Sequence, residues 1–174
     1  METGTAREWV RRLQPYRLPS DKRSAFETIL TLGLLVCFWV LMWFALSYSA
    51  VVTLLLSIPA AFLLVRLFII QHDCGHGSMF STSKWNDRVG RILGVLTLTP
   101  YDYWRRSHAI HHAGSGNLER RGIGDIDTLT VEEYLALSPV GRWKYRLYRH
   151  PLVMFGLGPA FIFMLQHRLP VSAL

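Results

Sequence analysis

Thr28 to Ser47 reads TILTLGLLVCFWVLMWFALS, a run of twenty residues without a charge. A helix of that length rises ~1.5 Å per residue and covers ~30 Å, the thickness of a bilayer's hydrocarbon core. The run is not a signal peptide, because a long basic stretch precedes it and no small-residue cleavage site follows a short apolar segment. Tyr48 and Ser49 form a short link, and Ala50 to Ile70 makes a second span. Its two irregularities are Pro59, which membrane helices tolerate, and Arg66, close enough to the end to snorkel. The pair predicts a tight transmembrane hairpin.

Positive charge orients it. Arg7, Arg11, Arg12, Arg17, Lys22 and Arg23 precede the first span, eleven Lys or Arg lie between Lys84 and Arg149, and the tip between the spans has none. Both flanks therefore belong on the cytoplasmic side. This accounts for the net charge of +7 and gives no reason to expect nucleic acid as a partner. A chain 51% hydrophobic and 18% charged is also far from the composition of a disordered segment. Cys37 and Cys74 lie far apart and form no disulfide framework.

The expected fold class is an all-α integral membrane protein: a transmembrane hairpin, a cytoplasmic helical lobe and an incomplete second membrane pair. The divisions are residues 1–27, a basic cytoplasmic segment; 28–70, the hairpin; 71–150, the cytoplasmic region; and 151–174, the start of a third, truncated membrane segment. Within the lobe, Gly90 to Pro100 (GRILGVLTLTP) is apolar but too short to cross, which predicts an interfacial or re-entrant piece. Trp85, Tyr101, Tyr103 and Trp104 flank it, as rings do at headgroup depth. Thr130 with Glu133 predicts a capping box for a helix over Val131 to Leu137, and Ser138-Pro139 starts another that ends near Arg149.

Five of the seven histidines fall in two short motifs, His72-Asp73-Cys74-Gly75-His76 and His108-Ala109-Ile110-His111-His112. Spacings of three and four residues bring side chains to one face of a helix. Neutral imidazole is a good ligand for iron, zinc and copper. A lone interfacial histidine needs no explanation beyond its polarity, and His150 and His167 are read that way. Five in two ligand-spaced groups point to a metal: His72, His76, His108, His111 and His112. Asp73 would orient a ligating imidazole, or else be an ordinary surface carboxylate. Asp125 and Asp127 would do the same, or serve only turn chemistry.

HDCGH after a transmembrane hairpin, HAIHH some thirty residues on, and NLERRGIGDIDTLT beyond it resemble the membrane fatty acid desaturases, particularly the acyl-lipid type of bacteria and plastids. That resemblance covers most of the chain from about Thr28. It implies a non-haem centre of two iron ions held by histidines, O2 as co-substrate, and formation of a cis double bond in a fatty acyl lipid. It also implies a ferredoxin or cytochrome b5-like electron donor and residence in a membrane, here the bacterial inner membrane with both boxes cytoplasmic.

The family's third histidine box is missing, so five ligands leave the set roughly three imidazoles short of what two ions need. The sequence thus resembles the N-terminal part of a desaturase, and the chain by itself is expected to be inactive. Three alternatives stay open: a hydroxylase or ketolase of the same superfamily, a catalytically inactive membrane fragment, and a membrane zinc metalloprotease. The last rests on His72-Asp73-x-x-His76 being one methylene from HExxH.

Overall fold

The computed structural model describes residues 5–121, 126–162 and 165. They are helical, with no strand among them, as the sequence predicts. The chain divides into two units, Met1–Thr97 and Leu98–Leu174.

The first unit is built on two long helices, α2 (Asp21–Leu46) and α3 (Ala50–Gly75), preceded by the short helix α1 (Ala6–Leu13). Both long helices are apolar enough to cross a membrane, and most of their length is turned outward. Trp43, Phe44, Leu54 and Phe62 are all more than half exposed. The core helix of a soluble protein would bury such side chains, whereas an apolar surface of this kind suits the hydrocarbon of a bilayer. The two helices meet along a narrow seam of Thr31, Leu35, Ala60 and Leu67, with Ser24 and Thr28 toward one end. Small and hydroxylated residues suit such a seam because they let backbones approach without leaving a polar atom in hydrocarbon. Accordingly the hydroxyl of Thr28 donates to the Ser24 carbonyl at 2.8 Å and that of Thr31 to the Glu27 carbonyl at 2.7 Å. Arg66 does more than snorkel: its Nε donates across the seam to Thr31 Oγ1 at 3.0 Å, and Glu27 lies 3.7 Å from its guanidinium. Glu27 also holds Arg23 at 2.8 Å.

The second span does not stop at Ile70. The helix runs on through His72 to Gly75, where a left-handed glycine ends it: Gly77 has φ +68, its N–H donates to the Cys74 carbonyl, and Ser78 N–H donates to the Asp73 carbonyl, both at 3.0 Å.

The segment from Gly90 to Pro100, expected to be interfacial or re-entrant, is helical over most of its length. It is mostly the second half of an amphipathic helix, α4 (Ser83–Leu96), whose buried face is Asn86, Gly90, Leu93 and Gly94 and which packs on α3. Spacings of four, three and one residues put these on one side of a helix, so that side of the run packs against protein while Ile92 and Val95 stay 61% and 73% exposed.

In the second unit, α5 (Tyr101–Gly114) carries the second histidine motif. The capping box forms as predicted: Thr130 N–H donates to Glu133 Oε2 at 2.7 Å and Glu133 N–H to Thr130 Oγ1 at 3.2 Å, opening α6 (Val131–Ala136). Ser138 and Pro139 open α7 (Pro139–Tyr148). Arg121 clamps Glu133 and donates to the Thr128 carbonyl at 2.6 Å. The hydroxyls of Tyr145 and Tyr148 accept from the N–H groups of Leu129 and Asp127, each at 3.1 Å. This region is therefore held by polar contacts from arginine and tyrosine. The third apolar run is helical as far as described, with a π-helical turn at Val153–Leu157 leading into α8 (Gly158–Phe161). The rest of that run, with His167, lies outside the described residues.

Candidate metal centre

The first histidine pair sits where α3 ends. His72 is in the last turn and His76 is the capping residue, and their Nε2 atoms lie 3.2 Å apart with ring centroids at 4.5 Å. His72 Nδ1 lies 3.1 Å from Asp73 Oδ1. A carboxylate on Nδ1 fixes the tautomer that leaves the Nε2 lone pair for an ion. Gln71 and Cys74, fully buried on either side, anchor this end of the helix. The hydroxyl of Thr97 donates to Gln71 Oε1 at 2.6 Å.

The strand of chain that follows is tied down at both ends. Asp21 accepts from the Ser81 N–H at 2.7 Å and from its hydroxyl at 2.6 Å, and Ser24 Oγ donates to the Met79 carbonyl. Asn86, 2% exposed, closes the other side: its Oδ1 accepts from Phe80 N–H at 3.0 Å, and its Nδ2 donates to the carbonyls of Phe80 at 2.7 Å and Thr82 at 3.0 Å. These residues hold the exit from the first motif, and nothing in their local spacing announces it.

In the second motif the four-residue pair closes as its spacing predicts. His108 and His112 bring their Nε2 atoms to 3.0 Å, and His111 lies beside them, with ring centroids 5.9 Å from His108 and 5.6 Å from His112. Trp104, one turn earlier, stacks on His108 with centroids 4.6 Å apart and planes 16° from parallel. The sequence placed Trp104 at headgroup depth; it is 5% exposed and Tyr101 3%, whereas Trp85 is 52% exposed. The missed signal was the four-residue spacing from Trp104 to His108.

Two ligands ~2.1 Å from one ion and at a right angle to each other stand about 3.0 Å apart. The 3.2 Å and 3.0 Å separations therefore fit cis ligation by each pair. A donor set of neutral imidazoles suits iron, zinc or copper rather than magnesium or calcium. The N–H of Asp127 donates to the Tyr148 hydroxyl at 3.1 Å. Asp125 lies outside the described residues.

The profile of the fatty acid desaturase family matches residues 49–173, which include both histidine motifs. The chain belongs to the fatty acid desaturase family. A fatty acid desaturase of Bacillus subtilis (strain 168) is 42% identical over 162 residues, 93% of this chain and 46% of that relative. An sn-1 acyl-lipid omega-3 desaturase (ferredoxin) of Nostoc sp. (strain 36) is 34% identical over 95 residues, 53% of this chain and 26% of the relative. An endoplasmic-reticulum omega-3 fatty acid desaturase of Vigna radiata is 52% identical over 54 residues, 31% of this chain and 14% of the relative. The chain thus spans less than half the length of these curated relatives. No solved structure matches it. Family membership removes the support for the metalloprotease alternative, which rested on one motif.

Proposed function

We propose that this chain is the part of a fatty acid desaturase that carries the first two histidine boxes, and that the whole enzyme introduces a cis double bond into an acyl chain with O2. The observation that carries the proposal is the pairing of Nε2 atoms at 3.2 Å and 3.0 Å in a chain of this family. In this reading His72, His76, His108, His111 and His112 are ligands of a non-haem di-iron centre. Asp73 orients His72 through Nδ1, and Trp104 fixes the ring plane of His108. Five imidazoles do not saturate two ions, so the proposal includes donors from outside these residues. When bound, iron supplies the O2-activating chemistry for attack on an unactivated methylene that no side chain provides.

The substrate class is a fatty acyl lipid and the electron donor a ferredoxin or cytochrome b5-like protein, the first of these being the donor in the name of the Nostoc relative. The location is the bacterial inner membrane, with both boxes on the cytoplasmic side in accord with the arginines before α2 and the bare tip at Tyr48 and Ser49.

The test is anaerobic Fe(II) titration of the chain in nanodiscs, read by metal analysis after gel filtration. Replacing His72 or His108 by Ala should weaken binding by no less than the roughly 10-fold to 100-fold that loss of an outer partner costs. Iron retention unaffected by the quadruple replacement of His72, His76, His108 and His112 would refute the assignment.

A further inference from the structure

Outside the spans and the histidine motifs, the most strongly sided element is α1, Ala6–Leu13 (AREWVRRL). At 100° per residue Trp9, Val10 and Leu13 fall within one arc of about 100°, while Arg7, Glu8, Arg11 and Arg12 occupy the rest. The apolar arc is uncovered: Trp9 is 52%, Val10 60% and Leu13 54% exposed. The Arg12 guanidinium lies 5.7 Å from the centre of the Trp9 ring, so the indole carries a cation at its face.

Two further observations say what covers this face. Only Gln14 to Ser20 separate α1 from α2, and the first four of these form a 3-10 turn. Seven residues reach at most ~24 Å when fully extended, and this link is shorter. The other end of the tether lies at headgroup level, because the Arg23–Glu27–Arg66 group marks the polar boundary of the hairpin on that side. A helix with an uncovered apolar arc, three arginines and a short leash to the bilayer surface has that surface as its nearest apolar phase.

We propose that α1 lies flat on the membrane, with Trp9, Val10 and Leu13 among the upper acyl carbons and Arg7, Arg11 and Arg12 on anionic headgroups. The occupant of the apolar face is an anionic lipid leaflet on the side of the hairpin where α2 begins. Each basic side chain near such a surface adds about 1 kcal/mol, a factor of about five in the ratio of docked to undocked helix. The proposal rests on the membrane reading of α2, so failure of the metal site would leave it standing.

The experiment uses the full chain with Cys37→Ser, in nanodiscs of phosphatidylcholine alone or mixed with phosphatidylglycerol. Cys74, 1% exposed, stays in place, and the chain without an added cysteine serves as the labelling control. A nitroxide is placed at Leu13→Cys or Arg11→Cys, and its collision rates with oxygen and with a water-soluble nickel chelate are compared. In the mixed discs the label at position 13 should meet oxygen in preference to nickel and the label at 11 the reverse. The contrast should fall in phosphatidylcholine alone, and Arg7→Gln should lower the docked ratio by about fivefold. Free access of nickel to both positions in mixed discs would overturn the proposal. Shielding of position 13 from both reagents would overturn it in favour of a covering protein, and equal behaviour in the two lipids would overturn the anionic preference on which it depends.

Discussion

Asn86 offers the sharpest test of how the first histidine motif is held. Its carboxamide is 2% exposed and makes three hydrogen bonds, accepting from Phe80 N–H and donating to the carbonyls of Phe80 and Thr82. Asn86→Ala removes all three and leaves those backbone groups without this partner. At about 1 kcal/mol for each bond the cost is about 3 kcal/mol, a factor of about 150 in the folding equilibrium. Asn86→Asp separates the terms, because a carboxylate keeps the acceptor for Phe80 N–H and loses both donations. Before any added cost of burying the charge, it should lose about 2 kcal/mol. The assay is reversible unfolding in mixed detergent micelles followed by circular dichroism, with amide exchange at Phe80 as the local readout. Phe80 exchange should quicken with Asn86→Ala, and iron binding should weaken because the loop leaving His76 is no longer fixed. If Asn86→Ala changed stability by less than about 0.5 kcal/mol and left Phe80 exchange unaltered, the idea that this side chain anchors the loop would be wrong.

Gly77 sits at φ +68, so Gly77→Ala should cost about 1 kcal/mol and Gly77→Asn less, measured in the same micelles. Trp104→Leu removes the ring stacked on His108 and should lower Fe(II) affinity with little change in helix content; unchanged affinity would show that the stacking does not position the imidazole. The Arg121 guanidinium pulls the Glu133 carboxyl down from its ordinary value of 4.5 to about 2. A depressed folded-state pKa means that the pair stabilises the second unit fully above pH 4.5 and stops doing so as pH falls through about 2. Amide exchange at Leu129 and Thr130 should quicken across that window, and Glu133→Gln should abolish the transition.

The tyrosines, arginines and capping box of the second unit show how unevenly its structure could be read beforehand. Thr130 and Glu133 are three residues apart, so their reciprocal bonds are a local matter and could be foreseen. Arg121 reaching Glu133, and Tyr145 and Tyr148 reaching Leu129 and Asp127, join residues 12 to 21 positions apart. No period in the sequence encodes such pairings. The segment after Gly90 shows the same limit: its apolar run predicts an interfacial or re-entrant piece, and only the structure shows that one side of it packs on α3 together with Asn86, which precedes the run. Hydropathy alone cannot tell burial against protein from burial in lipid.

The sequence by itself determined the hairpin, because crossing a bilayer needs only a charge-free run of sufficient length, and that is additive along the chain. It also determined that His72 pairs with His76 and His108 with His112, because helical spacing places them on one face whatever surrounds them. Tertiary structure alone decided that Asp21, Ser24 and Asn86 secure the loop after His76, and that Arg66 bonds Thr31 across the seam. Those contacts join residues as far apart as 60 positions, and they form only once packing has brought the helices together and removed the water that would otherwise satisfy each group.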